Sequence, residues 1–184
     1  MKLALLFFGI SKEYKHEYWR SGRKYSIDYN LSYNNYKQFI YGFFEKEGYD
    51  IDVYFTTNNL DDKDRKTLCE KYNPVKYSFM ENHKNHTISR NNKLDKVIDL
   101  CLDSGIAYDL VLKDHLICDN FYLFPYKYLR GFSKVVKKNM GKSHHFIKKD
   151  IESIMPDNSI NYILNQRCPI RLLSFYKIVR RPTL

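Results

Sequence analysis

The sequence predicts one α/β domain with a mainly parallel sheet flanked by helices. Short runs rich in apolar, β-branched and aromatic residues alternate with stretches whose apolar residues recur at helical spacing, in the order β-α-β-α-β-α-β. The chain has 184 residues, of which 43% are hydrophobic, which suits a single domain with a sizeable core. Because parallel strands are joined by right-handed crossovers, helices are expected on both faces of the sheet.

The first half of the chain provides two strands, each followed by a helix. Residues 3–10 form a continuous apolar run, typical of a strand buried on both faces. A polar, tyrosine-rich loop follows, and Ser32 is expected to cap a helix that ends at Gly48. Residues 52–57 are rich in β-forming types, and Asp61 is expected to cap the next helix, which ends before Pro74.

The pattern then continues to a fourth strand. Residues 75–80 are the third predicted strand, and the clearest helix follows, with Ser89 as its expected cap and Gly105 at its end. Residues 108–117 form the fourth strand. The C-terminal third is less regular, with a strand at 121–129 broken at Pro125, a basic loop at 134–149, short helices at 150–155 and 158–164, and a final strand at 173–179.

Charge, cysteine spacing and the N-terminus limit the class of protein. The net charge is +10, but the basic residues are scattered among acidic ones, so a solvated surface ranks first, a cleft for a phosphorylated ligand second and a nucleic-acid surface third. The four cysteines form no CxxC pair and indicate a reducing compartment. The N-terminal apolar run is too short for a membrane span and has no signal-peptide cleavage site, so a cytoplasmic protein is expected.

The carboxyl ends of the predicted strands give the candidate site. In open parallel sheets, ligands bind beyond these ends, near the point where the strand order reverses. The sequence has no GxGxxG, GxxxxGK[ST] or GxSxG motif, which disfavours dinucleotide dehydrogenases, P-loop NTPases and α/β-hydrolases. Hydroxyl, amide and cationic residues at the first two ends suit a nucleotide, while Asp114 and His115 at the fourth suit a metal, a diphosphate or proton transfer.

At these segments the chain resembles the small nucleotide-sugar glycosyltransferases of GT-A type that large DNA viruses encode. The resemblance covers most of the chain and is carried by LALLFFGISK, IDVYFTTNN, SRNNKLDKVIDLC, YDLVLKDHLICDNFYLFPYKYL, INYIL and FYKIVR. It implies a single Rossmann-like domain, with a nucleotide-binding half at residues 1–119 and acceptor-side and closing elements at 120–184. It also implies a UDP- or GDP-linked sugar donor, a glycan or other hydroxyl acceptor, and a host-cytoplasm location for a viral protein.

The same resemblance assigns donor-binding residues. The first strand end would hold the nucleobase and ribose, and the second strand end would form the opposite wall. A basic or amide group opening the helix before the fourth strand would contact the diphosphate, as would the polar residues at the fourth strand end. In this sequence these residues are Gly9, Ile10, Ser11, Lys12, Thr56, Thr57, Asn58, Arg90, Asn91, Lys93, Lys113 and His115.

The family's Asp-x-Asp motif, which binds a divalent cation, is only partly present. Asp114 has no acidic residue two positions later. Three outcomes are open: Asp114 binds Mn²⁺ or Mg²⁺ with His144 or His145; the enzyme is metal-independent and cations neutralise the leaving diphosphate; or the protein is an inactive relative. Asp119 is the expected base for the acceptor hydroxyl. A basic module that binds nucleic acid or another polyanion is the alternative function.

Overall fold

The computed structural model describes residues 1–9, 11–17, 24–115, 122–142 and 150. Its strands are β1 (Lys2–Gly9), β2 (Lys12–Glu17), β3 (Lys24–Asp28), β4 (Asp50–Asn58), β5 (Lys76–Met80), β6 (Leu110–His115) and β7 (Tyr122–Pro125). Five of them form one sheet in the order β5-β4-β1-β6-β7, and β2 pairs with β3 in a separate two-stranded sheet. In the five-stranded sheet β1, β4, β5 and β6 are parallel, whereas β7 is antiparallel to β6.

Helical segments follow β3, β4, β5 and β7. They are α1 (Tyr29–Tyr36), a π-helical segment (Lys37–Tyr41), α2 (Gly42–Lys46), α3 (Asp62–Tyr72), α4 (His86–Leu102), a 3₁₀ turn (Tyr126–Tyr128) and α5 (Leu129–Lys138). No helix in the described part of the chain is long and apolar enough to cross a membrane.

Each face of the five-stranded sheet has its own hydrophobic core, because alternate residues of β1 point to opposite faces. On one face α4 and α5 cover the sheet, and this core includes Leu6, Phe8, Tyr54, Val97, Ile98, Val111, Phe132 and Val136. On the other face α1, α2 and α3 cover it, and this core includes Leu5, Phe7, Val53, Phe55, Tyr36, Ile40, Leu68 and Leu112. The α/β architecture predicted from the sequence is therefore confirmed: a mostly parallel sheet has helices on both faces.

Several element boundaries agree with the sequence-based prediction. The four parallel strands occur where the apolar runs predict them. Asp61 caps α3, and its carboxylate accepts a 2.8 Å hydrogen bond from the Asp64 amide. Helix α3 ends at Asn73, which has the left-handed φ of 42° that is common at helix C-termini.

Other local predictions are wrong. The first helix begins at Tyr29 instead of after Ser32, because Tyr29 is buried in the core beside α3 and its carbonyl accepts a hydrogen bond from the Tyr72 hydroxyl. The predicted loop before it contains the β2–β3 hairpin, whose polar sequence lacks the apolar alternation that signals strands.

The predicted basic loop at 134–149 is also wrong over its first part, because α5 runs to Lys138. Leu129, Phe132 and Val136 lie on one buried face of α5, and the surrounding lysines conceal this helical spacing in the sequence. The predicted helix at 158–164 and the final strand at 173–179 lie outside the described residues, as does all of the 150–155 helix except Asp150.

Candidate functional site

The strand order reverses between β1 and β6. After β1 the chain adds β4 and then β5 on one side of it, and it returns across α4 to place β6 on the other side. At the carboxyl ends, Phe8 is paired with Thr56 on one side and His115 on the other, and Gly9 is paired with Thr57. The predicted strand ends are therefore brought to one edge of the sheet, and the switch point lies between the ends of β1 and β6.

A compact polar cluster joins the ends of β1 and β4. The Asn58 side-chain oxygen accepts hydrogen bonds from the Ser11 amide at 3.0 Å, the Ser11 hydroxyl at 3.4 Å and the Thr57 hydroxyl at 3.0 Å. Ser11, Thr57 and Asn58 are all buried. Gly9 has a φ of 122°, which L side chains rarely adopt, so glycine lets the chain turn over the end of the sheet. Asn58 thus fixes the turn after β1.

Lys113 places a cation on the side of the switch point that faces α4 and α5. It lies on β6, one residue from Asp114, and only 4% of its surface is exposed. Its ammonium nitrogen lies 4.6 Å from the centroid of the Phe8 ring, within the range of a cation–π interaction. Lys113 therefore brings a buried positive charge to the edge of the sheet at which ligands bind.

Lys93 is a second buried lysine, with 2% exposure, near the end of β5. Its ammonium donates hydrogen bonds to the Asn82 side-chain oxygen at 2.7 Å and to the Ser89 hydroxyl at 2.8 Å. Ser89 also accepts a 3.2 Å hydrogen bond from the His83 amide. Sequence reasoning missed the role of Ser89, although its spacing of four residues from Lys93 on a helix is a signal for such a contact.

Arg90 and Asn91 do not lie at the start of α4, contrary to the prediction. Asn85 caps the helix through hydrogen bonds from the amides of Thr87 at 2.9 Å and Ile88 at 3.2 Å, so residues 90–93 follow the first turn. The Asn91 side chain is fully buried, and its amide nitrogen donates to the carbonyls of Asn139 at 3.3 Å and Lys142 at 3.2 Å.

The Asn91 side-chain oxygen accepts from the Arg90 guanidinium. Asn91 therefore ties α4 to the turn after α5, and the helix-terminus argument for a diphosphate contact at these residues is wrong.

Thr56 contributes a buried hydroxyl on the same face of the sheet as Phe8, with which it is in register. The residue is 0% exposed, and its hydroxyl has no hydrogen-bond partner within the described part of the chain. Buried hydroxyls are normally paired, so this group has unused capacity to donate or accept.

The remaining predicted site residues are described less fully or not at all. For Lys12, Asp114 and His115 the structure gives the backbone: Lys12 begins β2, and Asp114 and His115 end β6 beside Phe7 and Phe8. Ile10, Asp119, His144 and His145 lie outside the described residues. No group of three or more His, Cys, Asp or Glu side chains suited to a metal occurs among the residues described.

No protein-family model, curated protein or solved structure matches this chain.

Proposed function

We propose that the chain is a glycosyltransferase of GT-A type that binds a nucleoside-diphosphate sugar across the carboxyl ends of β1, β4 and β6. The observation that carries the proposal is Lys113, a lysine buried directly beside the switch point of a parallel sheet. Such a switch point is where open α/β sheets bind ligands, and the diphosphate of a sugar nucleotide is an anion that a buried ammonium stabilises.

The residues divide into three roles in this proposal. The turn after β1, held by Asn58, lies against the nucleoside, with Ser11 and Thr57 at its base. Lys113 faces the diphosphate, and its positive charge stabilises the negative charge that develops on the leaving group during sugar transfer. Asp119 remains the proposed base that removes the proton from the acceptor hydroxyl.

Metal use is part of the same proposal and is decided by assay. Asp114 is the proposed ligand of Mn²⁺ or Mg²⁺, and its backbone lies at the end of β6 one residue from Lys113. A divalent cation would supply charge neutralisation to the diphosphate, which is also what Lys113 supplies. A donor that binds equally well with and without metal favours the metal-independent form, in which Lys113, Lys142 and the histidines neutralise the leaving diphosphate.

The test is a thermal-unfolding screen with UDP, GDP and their sugars, in the presence and absence of Mn²⁺. We expect at least one donor to raise the melting temperature in a saturable way, since a ligand that binds only the folded state stabilises it. The variant Lys113→Met should weaken donor binding by about 10- to 100-fold, the equivalent of a charged hydrogen bond worth roughly 1.5–3 kcal/mol.

Lys127→Met is the matched control. The Lys127 ammonium also lies over an aromatic ring, 4.9 Å from the Tyr128 centroid, but Lys127 is exposed and lies on the 3₁₀ turn before α5. Donor binding should be unchanged in this variant. The proposal is wrong if no donor stabilises the wild-type protein at millimolar concentration, or if Lys113→Met binds as the wild type does. If a donor binds but the protein neither transfers its sugar nor hydrolyses it, the protein is an inactive relative of the glycosyltransferases.

A further inference from the structure

Helix α5 has two faces of very different character. Its apolar face, formed by Leu129, Phe132, Val135 and Val136, is buried against the sheet and α4. Its opposite face and the 3₁₀ turn before it carry only cations among their charged residues. These exposed cations are Lys127, Arg130, Lys134, Lys137 and Lys138. No Asp or Glu occurs in the sequence between Asp119 and Asp150, so this surface has a single sign of charge from its own segment.

Two of these cations already have acidic partners. Lys137 lies 3.6 Å from Asp95 and 3.2 Å from Asp99 of α4, and Lys138 lies 3.2 Å from Asp150. These pairs fasten α5 to its neighbours. Lys127, Arg130 and Lys134 form no ion pair with any described residue. We call these three residues the α5 basic ridge.

The α5 basic ridge has the dimensions of a short stretch of phosphate backbone. Residues three and four apart lie on the same side of a helix, so Arg130 and Lys134 are neighbours, and Lys127 precedes Arg130 by three positions. At about 1.5 Å per helical residue the ridge extends for roughly 10 Å. That is about the axial length of three successive nucleotides of one strand in a duplex.

We propose that the α5 basic ridge binds the phosphate backbone of a nucleic acid without sequence specificity. The inference is independent of the donor site and goes beyond the proposed glycosyl transfer. The sequence ranks nucleic acid low because its basic residues alternate with acidic ones along most of the chain. The fold changes this picture, since α5 and the 3₁₀ turn before it expose three cations that have no acidic partner among the described residues, while Lys137 and Lys138 pair with acidic residues.

A nucleic acid fits this surface better than an anionic membrane. Helices that lie on membranes insert their apolar face between lipids, in addition to the attraction of their charges. In α5 the apolar face is in the protein core, with Leu129 and Val136 fully buried, and so it is not accessible to lipid. The α5 basic ridge remains exposed to a partner on this side of α5, and its length and charge are complementary to a linear array of phosphates.

The test compares three proteins by fluorescence anisotropy with a labelled short single-stranded DNA over a range of salt concentrations. They are the wild type, the ridge variant Lys127→Gln/Arg130→Gln/Lys134→Gln, and the control Lys46→Gln/Lys63→Gln/Lys66→Gln. The control loses the same charge from exposed sites on α2 and α3, which cover the opposite face of the sheet. All substituted residues are exposed, so folding should persist.

For wild type we expect the logarithm of affinity to fall steeply with the logarithm of salt concentration. The ridge variant should show a slope shallower by about 2, because each phosphate contact on a single strand contributes about 0.7. The control should keep the wild-type slope. The proposal is overturned if the wild type does not bind the DNA at low salt. It is also overturned if the ridge variant and the control variant change the slope equally. Ridge-dependent binding to phosphatidylserine vesicles without binding to DNA overturns it as well.

Discussion

Tyr54 and Tyr108 place two hydroxyl groups 2.6 Å apart within the core between the sheet and α4. The Tyr108 hydroxyl donates to the Asp52 carboxylate at 2.8 Å, and since a phenol has one proton, Tyr54 must donate to Tyr108. Burial raises the pKa of Tyr108, as do its hydrogen bonds to Tyr54 and Asp52. This chain of hydroxyl groups lies toward the amino ends of the strands and links β4 to the segment before β6.

The order of the hydrogen bonds predicts unequal effects of removing each hydroxyl. Tyr54→Phe removes one donor and should lower the free energy of unfolding by about 1 kcal/mol. Tyr108→Phe leaves both the Tyr54 hydroxyl and the Asp52 carboxylate without this partner, and should cost roughly 2–3 kcal/mol. Urea denaturation at neutral pH measures both values.

Tyr128→Phe is the control, because the Tyr128 hydroxyl makes no hydrogen bond among the described residues and its removal should be nearly neutral. Equal losses for Tyr54→Phe and Tyr108→Phe would contradict the assigned direction of the bonds.

At the scale of elements, helix α4 has two candidate N-terminal caps, Ser89 and Asn85, and Asn85 is the one that caps the helix. Ser89 is a good capping residue in the sequence, but Asn85 occupies the position before the first turn and accepts from two amides there. Ser89 instead binds Lys93, within the helix. Both Asn85 and Ser89 belong to residue types that are preferred as caps, so residue type does not show which of them caps α4. The packing of the preceding segment decides it, and there the Asn85 amide donates to the His83 ring at 2.9 Å.

Asn85→Ala should therefore destabilise the protein by about 1 kcal/mol, because two amide groups at the start of α4 lose their acceptor. Asn92→Ala is the matched control: Asn92 lies within the same helix and has no described hydrogen bond, and alanine has the higher helix propensity. Urea denaturation should show a loss for the first variant and no loss, or a slight gain, for the second. A larger loss for Asn92→Ala would show that the cap is misassigned.

At the scale of the whole molecule, the sheet was predictable because its signals are local. Continuous apolar runs identify β1 and β4, and helical spacing identifies α4, so the order of elements and the edge that carries the strand ends follow from the sequence. The β2–β3 hairpin and α5 were missed because their apolar positions are few or lie among charged residues. The position of α5 depends on contacts with distant parts of the chain, because Phe132 and Val136 share a core with Leu6 of β1 and Val97 of α4.

The candidate site was predictable in position and less so in detail. Topology brings Gly9, Thr57 and the end of β6 to one edge, as expected. The role of a polar side chain, however, depends on its partners in three dimensions. The Asn91 amide holds the turn after α5 by two hydrogen bonds, and the Asn58 side chain fixes the β1 turn by three. Residue type and spacing do not encode such partners.

Burial of weakly acidic side chains gives the molecule a defined response to alkaline pH. Burial raises the pKa of Cys101 from 9.0 to about 12. It also raises the pKa values of Cys69, Tyr41, Tyr54, Tyr108 and Tyr126. In the unfolded chain these thiols and phenols ionise at their ordinary values near 9 and 10, whereas the fold keeps them protonated.

Stability should therefore be constant below pH about 9 with respect to these groups and fall as the pH rises above it. The sign follows because the folded state binds more protons than the unfolded state in that range. Cys101 alone, with its folded pKa of about 12, gives a slope of about 1.4 kcal/mol per pH unit above the unfolded value. Urea denaturation at a series of pH values from neutral to about 10 measures the total slope.

Cys101→Ala separates this effect from general alkaline damage. The variant loses core packing and should be less stable at neutral pH by roughly 1 kcal/mol, since it leaves a small cavity. Its stability should nevertheless fall less steeply than that of the wild type above pH about 9, because one titrating thiol is gone from the unfolded state. A variant slope equal to that of the wild type would mean that the Cys101 thiol already ionises in the folded protein, which its full burial on the core-facing side of α4 opposes.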